Sequence, residues 1–85
     1  MPIRILLVED DVPLSALIAD YLRKHHYQVD TLFDGGGAVA TIVANRPDLV
    51  LLDINLPGKD GFEICREARV QYDGTIIMVT ARDEP

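Results

Sequence analysis

Three short apolar runs and one alternating stretch punctuate this chain, and segments with helical spacing lie between them. Residues 3–8 (IRILLV) form the first run, which stops abruptly in Glu9, Asp10 and Asp11. A run of this kind predicts a strand covered on both faces. Asp11 then suits an N-cap, with Pro13 in the first helical turn, where its missing N–H costs little. Leu14, Leu17, Ile18, Tyr21 and Leu22 follow at i, i+3, i+4, i+7 and i+8, which predicts an amphipathic helix buried along that stripe. Arg23 to His26 place cationic or protonatable groups at its C-terminal end, where the helix dipole favours them.

Residues 27–33 alternate Tyr27, Val29 and Thr31 with polar positions and predict a weaker strand at a sheet edge. Asp34, Gly35, Gly36 and Gly37 predict a flexible connection to a short helix over 38–44, which Asn45, Arg46 and Pro47 stop. Residues 48–52 lead into a third strand that ends in a single acid, Asp53, before the loop Asn55-Leu56-Pro57-Gly58-Lys59. With Asp60 as N-cap, a third helix is predicted over 62–72. Phe62, Cys65 and Ala68 are expected to face inward, and Glu63, Arg66, Glu67 and Arg69 outward. Asp73-Gly74 turns the chain into a fourth strand, 75–79 (TIIMV), which ends in Thr80. The order β-α-β-α-β-α-β predicts an α/β fold: a parallel sheet with right-handed crossovers.

The chain has 85 residues, which sets one domain and a modest core. A hydrophobic fraction of 48% argues for a folded chain. The formal charge of −6 opposes a nonspecific grip on nucleic acid or an anionic membrane. Cys65 is the one cysteine, so no internal disulfide can form, which suits a reducing compartment. No apolar run approaches the roughly 20 residues of a membrane span, and the N-terminus does not read as a signal peptide. These features together predict a cytoplasmic protein.

The chemistry gathers at the strand ends. In a doubly wound parallel sheet, ligands bind beyond the carboxyl ends of the strands, where strand order reverses. Glu9, Asp10 and Asp11 end the first strand, Asp53 and Asn55 follow the third, and Thr80 ends the fourth. If the first and third strands are neighbours, these residues converge. Carboxylates held close repel one another, and a cation relieves the repulsion. Oxygen-only donors favour Mg²⁺ or Mn²⁺ over zinc. A carboxylate facing a phosphoryl group beside such an ion can act as a nucleophile and form an acyl phosphate. Thr80 could then donate a hydroxyl hydrogen bond to it. Blander readings stand beside these. Asp11 suits a cap better than a ligand, Cys65 suits packing, and His25 and His26 suit a solvated helix end. The glycine run lacks the Lys-Ser/Thr of a phosphate-binding loop. A phosphohydrolase with an aspartyl nucleophile ranks low, because Asn55 stands where such enzymes usually carry a second acid.

Glu9-Asp10, the DINLPGKDG segment around Asp53, and Thr80-Ala81 resemble the receiver domain of two-component response regulators, in order and spacing along the whole chain. The wording PDLVLLDINLPGKDG and VTARDE is most similar to the OmpR/PhoB class and, within it, to RstA-type regulators. The resemblance implies a flavodoxin-like sheet with its strands in the order 2-1-3-4-5. It implies that Asp53 is the phosphoacceptor, charged by a sensor histidine kinase. It makes Asp10 a direct metal ligand, Glu9 its acidic companion, the Asn55 backbone carbonyl a third ligand, and Thr80 a switch hydroxyl followed by Ala81. A full receiver continues through a fourth helix, a fifth strand and a fifth helix, with a lysine after that strand that pairs with the phosphate. Residues 1–85 therefore read as a partial receiver, order 2-1-3-4. The DNA-binding winged-helix domain is expected in a longer parent protein. Loss of the covering elements also predicts self-association of this chain, making a phosphorylation-defective interaction module the alternative reading.

Overall fold

The structure, a computed structural model, describes residues 2–79. Four strands, β1 (Arg4–Val8), β2 (Gln28–Leu32), β3 (Leu49–Asp53) and β4 (Thr75–Val79), alternate with α1 (Val12–Lys24), α2 (Ala38–Asn45) and α3 (Gly61–Ala68). The strands form one parallel sheet in the order β2-β1-β3-β4. The expected topology is therefore realised, with β2 at an edge and β1 beside β3. Register aligns Val8 with Leu52 and Asp53 with Val79, so the strands end level with one another.

The central strands alternate between two apolar layers. Leu6, Val8, Val50 and Leu52 pack against Ala38 and Ile42 of α2 and Ile64 and Ala68 of α3. Ile5, Leu7 and Val29 meet Ala19 of α1, flanked by Ile18, Leu22, Leu49 and Leu51. Burial on both faces explains why β1 and β3 read as continuous apolar runs.

The α1 stripe departs from expectation. Leu17 is 69% exposed and Tyr21 62%, while Ser15 and Ala19 are buried. The helix rests on the sheet through its small residues, so its backbone approaches closely and Leu14, Ile18 and Leu22 flank the contact half-buried. Residue size alone points to the wrong side of such a helix. Asp11 caps it as expected, accepting the Leu14 N–H at 3.0 Å. The last carbonyls of α2 are served from β1: Arg4 donates to the Asn45 and Arg46 carbonyls at 2.6 and 3.2 Å.

A second correction concerns α3. The inward positions are Gly61, Ile64 and Ala68, with Cys65 half-buried, whereas Phe62 is 55% exposed. Asp60 forms a full capping box with Glu63, which fixes where the first turn begins. From that start the buried face runs at i, i+3, i+4 and i+7 from Gly61, not from Phe62. The helix also ends at Ala68, short of residue 72. The chain turns there to bury Tyr72, whose hydroxyl donates to the Pro47 carbonyl at 2.6 Å. Burial pushes the Tyr72 hydroxyl pKa upward, since the phenolate would lose its hydration.

Candidate functional site

Because β1 and β3 are neighbours that end level, the residues just past Val8 and Leu52 share one rim. Asp53 is the last residue of β3, and Glu9 and Asp10 follow β1 directly. Each of the three acids offers a carboxylate oxygen, and these oxygens lie within 4.8 Å of one another. Glu9 and Asp53 are only 6% and 8% exposed, while Asp10 is open to solvent. The rim thus holds two sunken carboxylates and one accessible carboxylate.

Local bonds fix each group. Glu9 donates its backbone N–H to the Leu32 carbonyl at 3.0 Å, and its carboxylate accepts the Asp11 N–H at 3.1 Å. Asp53 Oδ1 accepts the Asn55 N–H at 3.3 Å, which folds the following loop back over the carboxylate. Leu56, buried in the core, pins the middle of that loop. Gly61 closes it: its N–H donates to the Ile54 carbonyl at 2.9 Å. A Cβ there would stand 2.7 Å from the Asp53 carbonyl oxygen and 2.9 Å from the Ile54 Cα. The α3 start can press against the end of β3 only because this residue has no side chain. The fitness of Gly61 for this contact was missed in the sequence. A glycine directly after the Asp60 cap, where a helix former would serve better, is the signal that points to it.

Burial raises the Glu9 carboxyl above its ordinary range, and the nearby Asp53 and Asp10 charges push the same way. The Asp11 N–H opposes them, because it stabilises the charged form. Among the described residues no cation neutralises the cluster. Lys59, nearby in sequence, bonds Glu67 of α3 at 2.7 Å instead. Three crowded oxygen donors, with no nitrogen or sulfur ligand and no counter-charge among the described residues, suit a hard divalent cation.

Of the residues singled out in the sequence, Glu9, Asp10 and Asp53 are thus brought together, and Asn55 is tethered to Asp53. Thr80 and Ala81 lie outside the described residues. Asp11 serves as the α1 cap. A groove of about 540 Å³ lies elsewhere. It opens at the start of the strands beside Ile3, Tyr27, Asp48 and Thr75, at the end of the sheet opposite the acids.

Residues 5–85 match the family described as the response regulator receiver domain. Among solved structures, the BeF3-activated N-terminal receiver domain of Klebsiella pneumoniae RstA is 47% identical, with a TM-score of 0.88. That match covers 95% of this chain and 69% of the Klebsiella chain. The receiver domain of the Pseudomonas aeruginosa sensor histidine kinase PA1611 was solved with a magnesium ion coordinated in its active-site cleft. It is 38% identical with a TM-score of 0.89, over 96% of this chain and 70% of that one. Thermotoga maritima TrrA, a response regulator solved in complex with Mg²⁺ and BeF, is 36% identical with a TM-score of 0.88, over 94% and 70%.

Proposed function

The chain belongs to the response regulator receiver domain family, and we propose that Asp53 is its phosphoacceptor. The observation that carries this reading is the meeting of Glu9, Asp10 and Asp53 oxygens at the ends of two adjacent strands. Asp10, Asp53 and the Asn55 backbone carbonyl would hold Mg²⁺, with Glu9 steering the cluster from beside them and Mn²⁺ able to stand in. The ion supplies charge neutralisation for the incoming phosphoryl group.

The chain's own residues define the reaction. An Asp53 carboxylate oxygen attacks the phosphorus of a phosphohistidine on a sensor kinase. The new O–P bond forms as the N–P bond breaks, and the imidazole leaves. Asp53 is sunken, which shields the acyl phosphate from water, yet it lies on the open rim where a donor can approach. Thr80 and Ala81, one and two residues after β4, would receive the phosphate oxygens. The reading places the domain in the cytoplasm, within a longer transcriptional regulator that meets DNA through a separate domain. Cys65 as the one thiol and the absence, among the described residues, of a helix long and apolar enough to cross a membrane are consistent with that setting.

Incubation with a small-molecule phosphodonor and Mg²⁺ tests the assignment. Mass spectrometry is expected to find one added phosphoryl group, trapped by borohydride reduction on Asp53. Uptake on another residue, or at an equal rate in Asp53→Asn, would remove Asp53 from the role.

A second reading concerns this chain as it stands, and β4 favours it. Among the described residues no strand pairs with the outer edge of β4. Ile77 and Val79 are exposed on the face shared with Leu51. An open apolar edge invites pairing with a second copy. Sedimentation at high micromolar concentration is expected to show dimers or larger species. A monomer that persists there, or an Ile77→Lys variant that sediments as the unaltered chain does, counts against pairing through β4.

A further inference from the structure

The connection between β2 and α2 reads in the sequence as a flexible run of glycines. The structure gives its first glycine a specific contact. Gly35 is buried, whereas Gly36 and Gly37 are exposed. Its N–H donates to the Pro57 carbonyl at 3.0 Å, in the loop that joins β3 to α3. A Cβ on Gly35 would overlap the Lys59 carbonyl oxygen and stand 3.0 Å from both the Lys59 carbonyl carbon and the Ile64 Cδ1. That obstruction is mainly backbone, so no side-chain rotation relieves it. Asp34 sets the approach: its Oδ1 accepts the Gly36 N–H at 2.8 Å and folds the turn. The three adjacent glycines differ sharply. A Cβ at Gly36 would meet only the Asp34 side chain at 3.3 Å, and one at Gly37 would meet nothing within 4 Å.

We propose that Gly35 is a positioning residue for the cation site: it clamps the Pro57–Lys59 stretch and thereby sets where the Asn55 carbonyl stands beside Asp53. The clamped stretch begins two residues after Asn55. Asn55 is tethered on its other side to Asp53 Oδ1, and the loop is closed by Gly61 on Ile54. Little slack remains between these ties. Any side chain at position 35 must push the Lys59 carbonyl outward by well over an ångström to reach ordinary contact. Mg²⁺ requires ligands in near-ideal octahedral positions at about 2.0–2.1 Å, whereas Ca²⁺ accepts longer and less regular contacts. A displaced carbonyl therefore harms Mg²⁺ binding more than Ca²⁺ binding. The inference rests on Asp10, Asp53 and the Asn55 carbonyl being the ligands proposed above.

Titrating the backbone amide NMR signals of residues 53–55 with Mg²⁺ and with Ca²⁺ tests both levels. In Gly35→Ala the Mg²⁺ dissociation constant is expected to rise about tenfold or more, the range seen when support of a metal ligand is lost. The Ca²⁺ constant should move several-fold less, so the ratio of the two changes. Gly37→Ala should match the wild type in both. An unchanged Mg²⁺ constant in folded Gly35→Ala overturns the clamp, and so does an equal loss for both ions, which marks general loosening. If Gly35→Ala fails to fold, Asp34→Ala and Asp34→Asn decide. Asp34→Ala removes the Gly36 bond without adding atoms and should weaken Mg²⁺ selectively, while Asp34→Asn keeps the acceptor oxygen and should restore it. Equal constants for the two overturn the clamp. If the wild-type chain binds no Mg²⁺ at all, the proposed cation site falls and the clamp falls with it.

Discussion

Mg²⁺ at a hundredfold excess over its dissociation constant is expected to stabilise this chain by about 2.7 kcal/mol, the linkage expected for a ligand that binds only the folded state. For a domain of this size that corresponds to roughly 10–20 °C in the unfolding midpoint. The effect should be large because the folded chain concentrates its own repulsion. Glu9, Asp10 and Asp53 bring carboxylate oxygens within 4.8 Å of one another, and the whole chain carries a net charge of −6. The unfolded chain separates these acids and loses the site. Asp10→Asn and Asp53→Asn each remove a proposed ligand and one repelling charge. Both variants are expected to melt at or above the wild-type midpoint in chelator and to lose most of the Mg²⁺ response. Differential scanning calorimetry with and without Mg²⁺ measures both quantities. A wild-type midpoint indifferent to Mg²⁺, or full responses in both variants, would contradict the cation site.

How much of this was legible in the sequence depends on the length scale of the feature. The strands were readable because β1 and β3 are buried on both faces, and such strands show as unbroken apolar runs with acids marking where they stop. The neighbouring of β1 and β3, which brings Asp53 beside Glu9 and Asp10, follows from the order β2-β1-β3-β4. Composition does not carry that order; the receiver resemblance implied it. Capping was also legible at Asp11 and Asp60, since an N-cap depends on the residue itself and the next three positions. The buried face of a helix was less legible. At α1, Ser15 and Ala19 take the contact while Leu17 stays out. At α3, Gly61 and Ile64 displace Phe62. In both helices a small residue permits a close backbone approach, and size-weighted periodicity cannot register that advantage. The same blindness hid Gly35, which a sequence reading treats as slack and the fold uses as a contact. Long-range closeness between two backbones leaves no local signature beyond a glycine.

Glu9 gives a prediction whose sign reverses with the cation. Burial and the charges of Asp53 and Asp10 raise its folded-state pKa above the ordinary 4.5. The folded chain therefore binds the Glu9 proton more tightly than the unfolded chain does. By linkage, the stability attached to that proton is fully present below the unfolded value. It is lost as pH rises from there through the raised folded value, and the penalty is complete only above that value. Other acids also titrate in this range, so the comparison that isolates Glu9 is wild type against Glu9→Gln. In chelator near pH 7, Glu9→Gln is expected to be the more stable by about 1–2 kcal/mol, the scale of one like-charge contact in a polar environment. Its advantage should shrink toward pH 4, where the wild-type residue is itself protonated. With Mg²⁺ present the order inverts, because the missing charge weakens attraction for the ion and with it the linkage that stabilises the wild type. Denaturant titrations across pH, with and without Mg²⁺, measure the four corners of this comparison. A substitution that merely repacked the rim would shift stability in one direction in both conditions. A variant less stable than wild type in chelator, or one with a full Mg²⁺ response, would mean that the Glu9 charge is not part of the repulsion that the cation relieves.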